Sequence, residues 1–317
     1  MHDIFFFAFL IQTQMPRSRA DIANGRGLKQ PERKPTITYS TSTMTHLSRK
    51  LLSLRRMNLA AFFFHVAIVF SVFAAGNADV MIDLYIMDID VTSSKNYLIR
   101  PTTNTKIISF SIVYAIILFE LITAFFHLGN ASVWPSHYEK WLESCTSPTR
   151  WVEYSFSAPI MIALIAVFCG HVNLHVHILL FGLTMTTMFF GWLSEIIVRP
   201  DSTVENYVKP EIGSKWTAHF LGYVPLVFVW TILLTQFVRY AQLENDGDSM
   251  PTWVYVLFGV EFVLFWSFAG VQFYILNTKP SNFLFGERMY IILSFISKAS
   301  LSLIILGGTL DIDISSR

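Results

Sequence analysis

Cysteine is almost missing from this chain: Cys145 and Cys169 are the two in 317 residues, and they fall in different predicted environments that suggest no disulfide framework. Charge is scarce too, at 14% of residues, and its net of +1 offers no basic face for nucleic acid. No hydrolase triad, phosphate-cradling glycine loop or internal repeat occurs, so no enzyme activity is expected. What is abundant is apolar. Hydrophobic residues make up 53% of the chain, 29 of them Phe, and the mean hydropathy of +0.48 describes a polytopic membrane protein rather than a soluble domain.

Apolar runs of about 20 residues, long enough to cross ~30 Å of hydrocarbon as helix, occur seven times. They lie near 58–76, 107–129, 151–169, 176–198, 216–238, 252–276 and 289–309. Before Asn58 stand ten basic residues (Arg17, Arg19, Arg26, Lys29, Arg33, Lys34, Arg49, Lys50, Arg55, Arg56) against the acids Asp3, Asp21 and Glu32. By the positive-inside rule the amino terminus is then cytoplasmic, and an odd number of spans leaves the carboxyl terminus outside. Residues 1–53 read as a disordered basic extension, rich in Ser and Thr and punctuated by Pro16, Pro31 and Pro35. Residues 54–310 form the helical domain, and 311–317 an extracellular tail. In the first outer loop, VMIDLYIMDIDV alternates apolar and acidic residues as a half-buried strand does, which predicts a small β-hairpin.

Within the last span, MYIILSFISKASLSLIILGGT, stands Lys298. A charge near the bilayer centre costs roughly 3 kcal/mol on insertion scales, so it must be paired, neutralised or covalently modified. The third and seventh spans run parallel, and a carboxylate at Glu153, about a turn beyond Arg150, can meet the lysine at a shared depth. Ser294 lies four residues before Lys298 on the same face and can bridge the pair. Ser157, four residues after Glu153, is either polar glue between helices or part of that network. His65 and His127, taken singly, are either satisfied packing histidines or proton acceptors.

RWVEYSFSAPIMIALIAVFCG (150–170), FGWLSE (190–195), SFAGVQ (267–272) and GERMYIILSFISKAS (286–300) resemble heliorhodopsins, in order and spacing, over all seven spans. The resemblance implies an all-α, seven-transmembrane-helix rhodopsin-like bundle with a cytoplasmic amino terminus, all-trans retinal bound covalently to Lys298, Glu153 as Schiff-base counterion and Ser294 hydrogen-bonded between them. It also implies a polar inner cavity at His65 and His127, a homodimer in the lipid bilayer, and a sensory role that calls for a cytoplasmic signalling partner. Two carboxyls depart from the family's pattern, which has apolar residues there: Glu120, on one helical face with Thr123 and His127, and Glu261, about 14 Å into the sixth span at 1.5 Å per residue. Together with His65 they suggest a stepped proton route, because chains of Glu and His are what relays need.

Three readings remain at this level: a retinal photosensor; a light-gated proton channel or transporter using Glu261, Glu153 and Glu120; and a seven-helix receptor or transporter in which Lys298 is half of a structural ion pair. Cys169, His171, His175 and His177 form a weak zinc candidate at the outer junction of the third and fourth spans, although their spacing fits no closed structural-zinc pattern.

Overall fold

The computed structural model describes residues 41–90, 100–198, 216–242 and 250–315. The chain divides into two units, Met1–Arg49 and Lys50–Arg317. In the first, the described residues open helix α1 (Thr41–Ala75). The disorder expected through residue 53 is therefore corrected: helix already covers 41–53, where Leu, Lys, Arg and Met are strong helix formers and neither Gly nor Pro interrupts. The expectation for residues 1–40 lies outside the described residues.

In the second unit follow strands β1 (Met81–Asp90) and β2 (Arg100–Ser111) and helix α2 (Ile112–Leu128). A short π-helical turn, Gly129–Val133, leads into α3 (Pro135–Glu143). Then come α4 (Pro148–Phe168), α5 (Leu174–Val198), α6 (Thr217–Ala241), α7 (Thr252–Asn277) and α8 (Phe283–Ser315). Among the described residues seven helices are long and apolar enough to cross a membrane, which makes the chain an integral multi-pass membrane protein. Segments such as IVYAIILFEL would favour strand in water; in hydrocarbon every peptide group needs an internal partner, and helix supplies it locally.

The chain thus folds as the mostly helical, seven-span bundle expected. Helix α2 packs on α4, α4 on α5, α5 on α6, and α7 on α8. Phe119, Ile162, Ile165, Trp230, Leu257 and Leu301 are among the buried residues at its centre. Exposed Phe63, Phe70, Phe73 and Phe228 are apolar side chains on spanning helices, as lipid requires.

The expected hairpin is present: β1 and β2 pair antiparallel, from Met81 opposite Ser111 to Asp90 opposite Arg100. Ile82 and Leu84 turn inward while Met81 and Met87 stay exposed, the alternation a one-faced sheet needs. A backbone bond from Tyr85 N to Val172 O, 2.8 Å, ties the hairpin to the turn between α4 and α5. The second strand consumes 107–111, which the hydropathy run assigned to helix; the ladder holds that segment until Ile112 N bonds Val80 O at 3.2 Å. At the other end, helix α8 continues to Ser315 through most of the expected tail.

Candidate functional site

Helix α4 begins at Pro148, and from there Arg150, Glu153, Tyr154 and Ser157 recur at the three- and four-residue spacing of one helical face. All four are buried. Helix α8 presents Glu287, Ser294, Lys298 and Ser302 in the same way, also buried. Where the two helices face each other, Lys298 Nζ lies 3.2 Å from Glu153 Oε1 and donates to Ser294 Oγ at 2.7 Å. Lys298 is 2% exposed and Glu153 4%, so both members of the pair are buried. Glu153 Oε1 also accepts from Thr123 Oγ1 at 2.7 Å and Ser157 Oγ at 2.6 Å. Three donors thus converge on one carboxylate oxygen.

On one side of Lys298 opens a cavity of about 770 Å³, part of it continuous with the exterior. Trp151, Tyr154, Tyr223, Phe265, Phe268 and Tyr290 give it an aromatic lining, and Lys298 borders it. Gly191 permits part of that wall: a Cβ there would meet the Trp151 ring at 2.2 Å. A smaller polar cavity is bordered by Asn58, His127, Thr149, Arg150 and Glu153.

The remaining sequence candidates divide into groups. His65 Nδ1 is 2.6 Å from Glu120 Oε2, and Ser302 Oγ donates to Glu120 Oε1 at 2.6 Å. His127 Nδ1 contacts Asn58 Oδ1 at 2.8 Å, and its ring stacks on that of His65 with centroids 5.4 Å apart. Thr123 joins α2 to Glu153, and Glu120, Thr123 and His127 are all buried on one face of α2. Glu261 is fully buried on α7, where Ser300 Oγ donates to its Oε1 at 2.8 Å.

Arg150 is held elsewhere than its spacing suggested. Its Nη1 bonds Glu287 and its Nη2 bonds Glu195, while its guanidinium lies over the Tyr290 ring at 4.0 Å from the centroid. Glu287 also accepts from Ser147 Oγ at 3.0 Å and from the Tyr138 hydroxyl at 3.1 Å, which fastens α3 to α8. Burial drives the Tyr138 phenol well above its ordinary range, so it stays a donor. Glu195, Glu287 and Tyr138 escaped the sequence reading because charges near span ends read as snorkelling side chains. A buried arginine with a single expected neighbour was the available signal that more acids had to converge.

The zinc candidate is corrected. Among the described residues no three His, Cys, Asp or Glu side chains converge to hold a metal. His171 Nε2 bonds the Ile232 carbonyl at 3.1 Å, His177 Nε2 bonds the His171 carbonyl at 2.9 Å, and His175 is exposed. Burial pushes the Cys169 thiol up to about 12, so it stays a thiol and offers no thiolate ligand.

A family model described as Heliorhodopsin matches residues 54–310. No curated protein matches the chain.

Proposed function

The chain belongs to the heliorhodopsin family, which implies a retinal-binding, light-sensing rhodopsin, and on that footing we propose a photosensor that holds all-trans retinal covalently on Lys298. The observation that carries this reading is the Lys298–Glu153–Ser294 cluster at the edge of an aromatic cavity. The residues present fit the group. Its aldehyde end needs one buried amine and its polyene an apolar slot; Lys298 and the aromatic lining supply both, and Gly191 leaves that slot its Trp151 wall.

When bound, retinal supplies visible absorption and a double-bond rotation that re-aims the nitrogen of Lys298. Glu153 keeps a positive charge on that nitrogen by facing it with a carboxylate that Thr123 and Ser157 hold in place. Ser294 orients the nitrogen along α8. Tyr154, whose ring centroid is 5.0 Å from Nζ, and its aromatic neighbours exclude water from the outer side. His65 and His127, in the polar region beyond Glu153, receive the proton when the nitrogen turns away. The basic amino-terminal segment supports a cytoplasmic amino terminus, and the sensory reading calls for a cytoplasmic partner and, by family, a homodimer. Borohydride reduction of retinal-loaded protein followed by peptide mapping should place the adduct on Lys298; an adduct on another lysine, or none, would refute the assignment.

A second reading, light-driven proton conduction, is favoured by one observation. Glu261 is fully buried on α7 and bonded to Ser300, two residues after Lys298 on α8, and its Oε2 has no partner among the described residues. Such a carboxyl is a natural step on the outer side of Lys298. Illuminated whole-cell recording separates the readings: currents that change in Glu261→Gln support conduction, and silent cells support sensing alone.

A further inference from the structure

Each of the two stacked histidines has one ring nitrogen engaged and one without a partner among the described residues, His65 Nε2 and His127 Nε2. Their engaged partners differ in kind. Asn58 donates its amide hydrogens to the Leu54 carbonyl at 2.9 Å and the Tyr138 hydroxyl at 3.1 Å, so its Oδ1 accepts from His127 Nδ1. His127 therefore leans on a neutral dipole. His65 leans on a carboxylate: Glu120 Oε2 faces Nδ1, and Ser302 satisfies the other oxygen, with Glu120, His65 and Ser302 all fully buried.

We propose that Glu120 is a positioning residue that fixes His65 with its proton on Nδ1 and Nε2 as a bare lone pair, and that, by facing the imidazolium with a carboxylate where His127 faces only a neutral amide, it makes His65 rather than His127 the final proton acceptor. The inference deepens the photosensor reading and rests on it for the source of the proton. A carboxylate accepting from Nδ1–H sets both tautomer and ring orientation. The alternative, a hydrogen on Nε2, would leave a buried donor unbonded, which costs about 1–3 kcal/mol. In the transfer, the proton leaves the Lys298 nitrogen and bonds to Nε2 of His65. Positive charge moves from one side chain to the other, and the new imidazolium faces Glu120. The groups around it are Glu120 and His127 from α2 and Ser302 and Phe295 from α8. Of these only Glu120 is an acid, so the stabilisation is assigned to it. Ser302 keeps the carboxylate from rotating toward His127.

The test begins in the dark and needs no bound chromophore. In full-length protein in lipid with isotope-labelled histidine, the nitrogen resonances that vanish in His65→Asn should show a protonated Nδ1 and a bare Nε2. Glu120→Gln should mix the tautomers, and Glu120→Asp should restore the single form. Ser302→Ala gives the same reading, in milder form, should Glu120→Gln fail to fold. A doubly protonated or Nε2-protonated His65 in the unaltered protein, or a tautomer indifferent to Glu120, overturns the proposal. In retinal-loaded protein, flash spectroscopy should show proton departure from the Lys298 nitrogen slowed about tenfold in Glu120→Gln, with recovery in Glu120→Asp. Unchanged kinetics would also overturn it. Absence of any visible band would instead remove the retinal reading while the dark tautomer result still stands or falls alone.

Discussion

At the residue scale, Lys298 and Glu153 define each other: both are buried, and removing either leaves an uncompensated charge where water cannot help. Glu153→Gln should take the retinal band out of the visible at neutral pH, because no anion then holds a positive charge on the nitrogen; a spectrum unchanged from that of the unaltered protein would deny Glu153 the counterion role. Arg150 makes a separate demand. It pairs with Glu195 and Glu287 at once, so Arg150→Ala should cost about 3–5 kcal/mol, read as a fall in the thermal midpoint of the detergent-solubilised protein. Lys298, Ser294 and Glu153 were legible in the sequence because an ionisable residue in an apolar run is conspicuous and a four-residue spacing fixes its helical neighbour. The pairing of Arg150 with Glu195 and Glu287 was not legible, since spacing within one helix says nothing about which acid on another helix arrives at the same depth. Glu120 was singled out for its place beside Thr123 and His127, yet its bonds to His65 and Ser302 required three helices to meet.

At the scale of elements, the hairpin and the cavity wall carry the sharpest consequences. Asp83 on β1 sits opposite Ser109 and 3.2 Å from Lys106 Nζ. The Ser109 hydroxyl first, and then the Lys106 ammonium, hold the Asp83 carboxyl below its ordinary 3.8. A carboxylate so lowered stabilises the hairpin above pH 3.8, and that contribution is lost as the pH falls through the lowered value. Amide exchange in β1 and β2 should therefore be steady near neutrality and accelerate only in acid, and Asp83→Asn should abolish the acid-dependent part. Gly191→Ala should drive the Trp151 ring out of its place, at about 1–3 kcal/mol of overpacking and with weaker retinal uptake, measured by thermal midpoint and by chromophore titration. Span positions were readable because hydrocarbon imposes a length; their ends were not, because hydropathy is blind to whether Ile107 to Ser111 are bonded in a ladder or coiled in a helix, and because polar Thr41 to Ser53 hide good helix formers.

For the whole molecule, Lys298 stands between an aromatic cavity and a polar region that His127 borders; under the proposed function, light absorbed in the first becomes a proton in the second. The seven-span architecture followed from composition, and the small sheet from alternation; the interior followed from neither, since it exists only where α2, α4 and α8 converge. The most direct test is the absorption spectrum of purified full-length protein after addition of all-trans retinal, compared with that of Lys298→Ala. The account expects a visible band in the first and none in the second. A colourless unaltered protein, or a band that persists without the Lys298 amine, would contradict it.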